Sequence, residues 1–306
     1  SDSGVSNSAI SRRGLIKASA IVAASVAAPA MPRAAEAAES GVVRAGNAKP
    51  NGRILIKGAT ILTMDEKLGD IAKGDLLVEG KKIVALGGDL KSQGAQVIEG
   101  ANAILIPGFV DCHRHSWEGQ LRRINPNAAT LDAYSAATHQ SFAKAYRPDD
   151  IYAGNLITAL GCIDAGITCV IDNSHNSRSG AHSDAAIKAL FDSGIRGVHA
   201  AGPPQAGDWD HQLPQDLARL QKQYFSSPDQ LVTLRMFAGP VKEQWAYARS
   251  LGLRITMEFQ GAAMGKIADQ FAEEKLLGPD LTFNHCGNLP ESTWQNLKNA
   301  GVTINV

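Results

Sequence analysis

Apolar positions along the chain change period twice. Between 52 and 106 they fall into the runs 54–57, 59–63, 75–79, 82–86 and 96–98. These runs are short, β-branched and bounded by Gly or Asp, which predicts about five short strands. Glu79, Gly80 and Lys81 supply a tight turn between two of them. A module this small cannot close a large core alone. After Pro107 and Gly108 the pattern alternates between short apolar runs and amphipathic stretches at helical spacing, the mark of a parallel β/α sheet.

Counting the runs suggests the architecture. Strands are predicted at 109–112, 167–171, 195–199, 232–237, 254–259, 281–285 and 302–306. Helices are predicted at 150–164, 184–193, 214–224, 241–251, 265–274 and 290–299, several opened by Asp or Pro and closed by Gly. Seven strands are one short of a closed (β/α)8 barrel. The expected fold is therefore α/β, an incomplete TIM-type barrel of about seven strands behind a small β-sandwich module. An open doubly wound sheet is the alternative. No glycine-rich dinucleotide fingerprint follows the first strand, where Asp111, Cys112, His113, Arg114 and His115 stand instead.

The first residues carry a different signal. Ser11, Arg12, Arg13, Gly14, Leu15, Ile16 and Lys17 precede a weakly apolar, alanine-rich run, with cleavage candidates at Ala28-Pro29-Ala30 and Ala35-Glu36-Ala37. The segment resembles a bacterial twin-arginine export signal, too short and weakly apolar to span a membrane. The expected organisation is a signal at 1–38, a Gly- and Pro-containing linker at 39–51, the β module at 52–106 and the barrel at 107–306. The expected location is periplasmic or secreted.

Composition narrows the partner. Thirty Lys and Arg balance thirty Asp and Glu, so no global positive field attracts nucleic acid or an anionic membrane. A small-molecule substrate is the expectation. Four Cys in 306 residues make no disulfide framework and read as buried packing residues.

Chemistry-bearing residues gather at strand ends. His113 and His115 are two residues apart at the end of the first barrel strand, so both imidazoles point to one side. Such a pair is half a zinc site or a plain surface pair; its place at the C-terminal end of a barrel strand favours the former. His285 closes the sixth predicted strand and Glu258 lies near the end of the fifth, giving three histidines and one carboxylate for a divalent metal. His175 follows the second strand and reads equally as a pocket residue or a solvated loop residue. Trp117 follows the His pair and is a candidate for the pocket mouth, whereas His199, ending the third strand, reads as pocket lining or barrel interior. His139, His182 and His211 are expected on the surface.

The run Pro107-Gly108-Phe109-Val110-Asp111-Cys112-His113-Arg114-His115 follows a β module holding Gly58-Ala59-Thr60-Ile61-Leu62 and Val78-Glu79-Gly80-Lys81-Lys82-Ile83. Together they resemble the opening of the amidohydrolase superfamily, in particular the branch of cytosine deaminase and the triazine chlorohydrolases. The resemblance implies one divalent metal, zinc first with iron or manganese as alternatives, held by His113 and His115. It makes His285 the counterpart of a sixth-strand histidine that contacts substrate or the attacking water. It also implies hydrolysis of carbon–nitrogen bonds in a cyclic or linear amide, amidine or aminoheterocycle by metal-activated water; on chemical grounds a carboxylate, here Glu258, and His285 are the candidates for moving the proton to the leaving group. Two departures stand out: Glu258 replaces the histidine expected after the fifth strand, and no eighth strand with its Asp occurs within the 306 residues. A truncated or catalytically inactive chain with a binding role is therefore the alternative. Unpaired first and seventh strands would favour self-association into a homo-oligomer.

Overall fold

The computed structural model describes residues 52–124 and 128–306. The twin-arginine segment and the linker lie outside the described residues. The described residues fall into two compact units, one up to Pro107 and the other from Gly108 to Val306. No helix among the described residues is long and apolar enough to cross a membrane.

In the first unit the strands are β1 (Arg53–Ile61), β2 (Ile71–Glu79), β3 (Lys82–Gly87), β4 (Gln96–Glu99) and β5 (Ile104–Leu105). They form one sheet in the order β3-β2-β1-β4, with β5 also paired to β1. Strand β1 fuses two runs that the sequence reading kept apart. The reason is Gly58, whose φ of +75° is a left-handed conformation that glycine adopts without strain. The register jumps there, from Ile56 opposite Leu76 to Ala59 opposite Gly74. Asp75, 3% exposed, accepts hydrogen bonds from the Gly58 N–H at 2.8 Å and the Leu90 N–H at 2.9 Å. Its buried charge is thereby answered by backbone donors.

The second unit runs β6 (Phe109–Arg114), a 3-10 turn (Ser116–Leu121), α1 (Leu131–Thr138), a second 3-10 turn (Phe142–Ala145), α2 (Pro148–Asp164), β7 (Ile167–Ser174), α3 (Gly180–Ser193) and β8 (Arg196–Ala201). It continues with α4 (Asp216–Tyr224), β9 (Val232–Phe237), α5 (Lys242–Ser250), β10 (Ile255–Phe259), α6 (Gly261–Glu273), β11 (Leu281–His285), α7 (Glu291–Ala300) and β12 (Thr303–Asn305). All seven strands are parallel and pair strictly in chain order from β6 to β12. This is a nearly closed, seven-stranded parallel β/α barrel of the TIM type. Helix limits follow local chemistry: Pro148 opens α2 at a position where its missing N–H costs nothing, and Gly194 and Gly301, both with positive φ, close α3 and α7.

Period-two alternation sorts β10 and β11 into two faces. Ile255, Met257, Phe259, Leu281 and Phe283 belong to the main hydrophobic core with Trp245 and Phe271. Phe259 and Phe283 stack with ring centroids 4.4 Å apart. The other face is polar: Asn284 donates to the Thr256 hydroxyl at 3.4 Å, and Arg235 from β9 donates to Thr282 at 3.1 Å. Glu258 shares this face.

Strands β6 and β12 do not pair with each other. The side-chain amide of Asn305 on β12 donates instead to the Cys112 carbonyl of β6 and to Asn284 Oδ1, both at 3.0 Å. A groove of 510 Å³ runs along this seam, lined by Phe109, Val110, Cys112, His113, Asn305 and Val306 among others.

Candidate metal centre

Strand β6 delivers His113 directly, and His115 sits one residue past its end as the chain enters the 3-10 turn. Asp111 fixes this exit, accepting from the His113 N–H at 3.1 Å and from Arg114 Nε at 2.7 Å. On the next strand the Asn173 carbonyl lies 2.9 Å from His115 Nδ1. A carbonyl only accepts, so Nδ1 carries the proton and Nε2 presents its lone pair. His115 Nε2 lies 3.3 Å from His113 Nε2.

Glu258 approaches this pair from across the barrel. Its Oε1 is 3.0 Å from His113 Nε2 and 3.7 Å from His115 Nε2, while its Oε2 is 2.6 Å from His285 Nε2. One ligand atom from each of His113, His115 and Glu258 falls within 4.8 Å of the others. Burial pushes the His115 imidazole below its usual pKa. Burial alone would raise Glu258, but the His113 hydrogen bond and the charges of His113, His115 and His285 outweigh it and hold the carboxyl below its usual range. The residues fit a divalent ion, because two nitrogens bound tetrahedrally at about 2.0–2.1 Å come to about 3.3 Å from one another.

His113 and His115 also line a 620 Å³ pocket with Glu118, Leu121, Arg122 and Thr158. Trp117 is wholly buried in a cluster with Leu121, Tyr146 and Ile151 and does not line that pocket. His199 is also wholly buried, its Nδ1 3.2 Å from Asp172 Oδ2. Asp172 in turn accepts from the Ser116 N–H at 3.0 Å, tying β7 to the turn after the His pair. His175 is 1% exposed, which excludes the solvated-loop reading, and its ring centroid lies 3.9 Å from that of His115.

Two expectations are corrected. His139 is 2% exposed rather than on the surface, because it caps α1 and packs against Trp117, Tyr134 and His175. Cys112 is exposed rather than buried, since it lies on the seam strand β6. Glu118, which with Trp117 follows the His pair on the first loop and is a candidate for the pocket mouth, does line the pocket, but its burial is not evident from the sequence. Burial raises its carboxyl to about 7, and Tyr134 Oη donates to it at 2.6 Å. Burial likewise lowers His139 to about 4 and His175 well below the ordinary imidazole value.

No protein-family profile matches the chain. It is 29% identical over 143 residues to a 5'-deoxyadenosine deaminase of Methanosarcina mazei, covering 47% of this chain and 32% of that protein. It is 30% identical over 152 residues to a 5-methylthioadenosine/S-adenosylhomocysteine deaminase of Desulforamulus reducens, covering 48% and 35%. The chain thus matches about a third of the length of these curated relatives. Among solved structures it is similar to a triazine hydrolase variant, with a TM-score of 0.72, 22% identity, and 83% of this chain and 64% of that one covered. An atrazine chlorohydrolase from Arthrobacter aurescens complexed with zinc matches with a TM-score of 0.65 and 24% identity over 82% and 64%. An adenosine deaminase from Xanthomonas campestris with bound zinc matches with a TM-score of 0.65 and 18% identity over 82% and 61%.

Proposed function

We propose that the chain belongs to the amidohydrolase superfamily and is the metal-binding part of a hydrolase acting on carbon–nitrogen bonds of aminoheterocycles. The observation that carries this reading is the meeting of His113, His115, Glu258 and His285 at the C-terminal ends of β6, β10 and β11, where β/α barrels hold their active sites. The deaminases and triazine hydrolases it resembles support the substrate class.

His113 and His115 would hold one divalent ion, zinc by the likeness to zinc-bound neighbours, with Glu258 Oε1 as a third donor. When bound, the ion supplies Lewis acidity and makes water nucleophilic near neutral pH. The chain's own groups divide the remaining work. Glu258 turns one oxygen to the histidine pair and the other to His285, so a proton taken up at Oε2 has a direct route to His285 Nε2. His285, its side chain 48% exposed, can pass that proton to a leaving amine. Buried Trp117 and His199 support this arrangement through packing and through Asp172 rather than by touching substrate.

Export through the twin-arginine route is part of the same proposal, resting on Arg12 and Arg13 before the alanine-rich run. The test of function loads the purified chain with zinc and assays ammonia release from 5'-deoxyadenosine, 5'-methylthioadenosine, S-adenosylhomocysteine and amino-substituted triazines. Turnover that His113→Ala abolishes supports the reading. No turnover of any of them by a zinc-loaded full-length protein overturns it in favour of a binding role.

A further inference from the structure

We propose that Glu118, His139 and His175 form a second divalent-metal site, distinct from the one at His113, His115 and Glu258. One ligand atom from each of the three lies within 4.8 Å of the others. They arrive from separate segments: Glu118 from the 3-10 turn after β6, His139 from the C-terminal cap of α1, and His175 from the loop after β7. Chain proximity therefore does not explain their meeting.

The donor set is chemically suitable. Two imidazoles and one carboxylate leave a fourth position open and suit zinc or cobalt better than calcium or magnesium, which prefer all-oxygen shells. His175 Nδ1 is buried and has no hydrogen-bond partner. A buried ring nitrogen without a partner is a standing cost, and a metal ion removes it. The Tyr134 hydroxyl on Glu118 is the kind of outer hydrogen bond that orients a ligating carboxylate. Trp117 packs edge-on to His175 with centroids 5.8 Å apart, giving the trio a dry wall. Of the three, Glu118 also lines the 620 Å³ pocket, so the pocket reaches one edge of the trio.

The two centres share no ligand. The two groups meet where a ligand ring of one, His115, packs on a ligand ring of the other, His175, and no carboxylate belongs to both. The geometry thus gives two separate single-ion sites rather than a bridged pair.

The experiment titrates the chelator-stripped, dialysed full chain with cobalt(II), following visible d–d absorption and metal content after gel filtration. The expected result is two equivalents in the unaltered protein, with one lost in His139→Ala and in Glu118→Gln. His113→Ala should keep that equivalent and lose the other. Glu118→Gln leaves an acceptor for Tyr134, so a folded variant is available even if His139→Ala fails to fold; circular dichroism identifies it. The proposal stands if one equivalent disappears in the Glu118 and His139 variants yet persists in His113→Ala. It is overturned if folded Glu118→Gln binds as much cobalt as the parent, or if His113→Ala binds none.

Discussion

Glu258 and His285 touch, with Oε2 and Nε2 2.6 Å apart, although strand alternation assigns them to opposite faces of neighbouring strands. Glu258 is in register with Asn284, and His285 with Phe259. By alternation His285 would follow Phe283 into the hydrophobic core. Its φ of +72° ends that alternation, and the ring meets Glu258 instead. A β-carbon in this region costs about 1–2 kcal/mol, so the contact is maintained against backbone strain. His285→Gly should therefore raise thermal stability by up to about 1 kcal/mol while lowering hydrolysis. Paired melting curves and rate measurements check it, and a variant less stable than the parent would show that the Glu258 contact outweighs the strain.

Glu258 is the carboxylate within reach of all three site histidines. Glu258→Ala leaves His113 and His115 as a two-ligand remnant, too few for a stable zinc centre. Elemental analysis should show loss of the ion held there. Zinc should raise the melting temperature of the parent and give less protection to the variant.

Two glycines of α2 should respond oppositely to one added methyl. A β-carbon on Gly154 would lie 2.4 Å from the Trp117 carbonyl, forcing apart the helix and the turn that carries Glu118. Gly154→Ala should cost about 1–3 kcal/mol, as overpacking does. Gly161 meets nothing within 4 Å, and Gly161→Ala should stabilise by about 0.5–1 kcal/mol through helix propensity. Denaturant unfolding of both variants measures the contrast.

Acid should act on the start of α2. Hydrogen bonds from the Arg147 side chain and backbone N–H draw the Asp150 carboxyl from 3.8 down to about 2. The folded value lies below the unfolded one, so the stabilisation is present above about pH 4 and is lost as the pH falls towards 2. Asp150→Asn should be the less stable protein at neutral pH, and the gap should close across that window. A gap that stays constant from neutral pH to 2 would assign the effect to packing.

The parallel strands were legible because each is a compact apolar run between turn signals. Those at 232–237 and 281–285 match β9 and β11 residue for residue. The join at Gly58 was not legible, since glycine reads as a break and only the pairing with β2 shows that the strand passes through it. Helix α1 went unanticipated: its sequence, LDAYSAAT, is short and has small residues where an apolar stripe would normally stand. With the helix went His139, whose burial arises from contacts with Trp117 and His175 that lie well away in sequence. The histidine pair, Glu258 and His285 were found through their places at strand ends. The tautomer set by the Asn173 carbonyl and the turn at His285 are properties of three-dimensional register alone.

Among the described residues, side chains rather than a backbone ladder connect β6 to β12. Backbone ladders join every other neighbouring pair of barrel strands, whereas here the amide of Asn305 spans the gap to the Cys112 carbonyl. Amide exchange should be slowest near β10 and β11, whose core-facing residues are buried. His113 lies on the seam strand β6. An ion held by His113 and Glu258 would act as a cross-tie between β6 and β10, so metal loading and the rigidity of these strands should rise together.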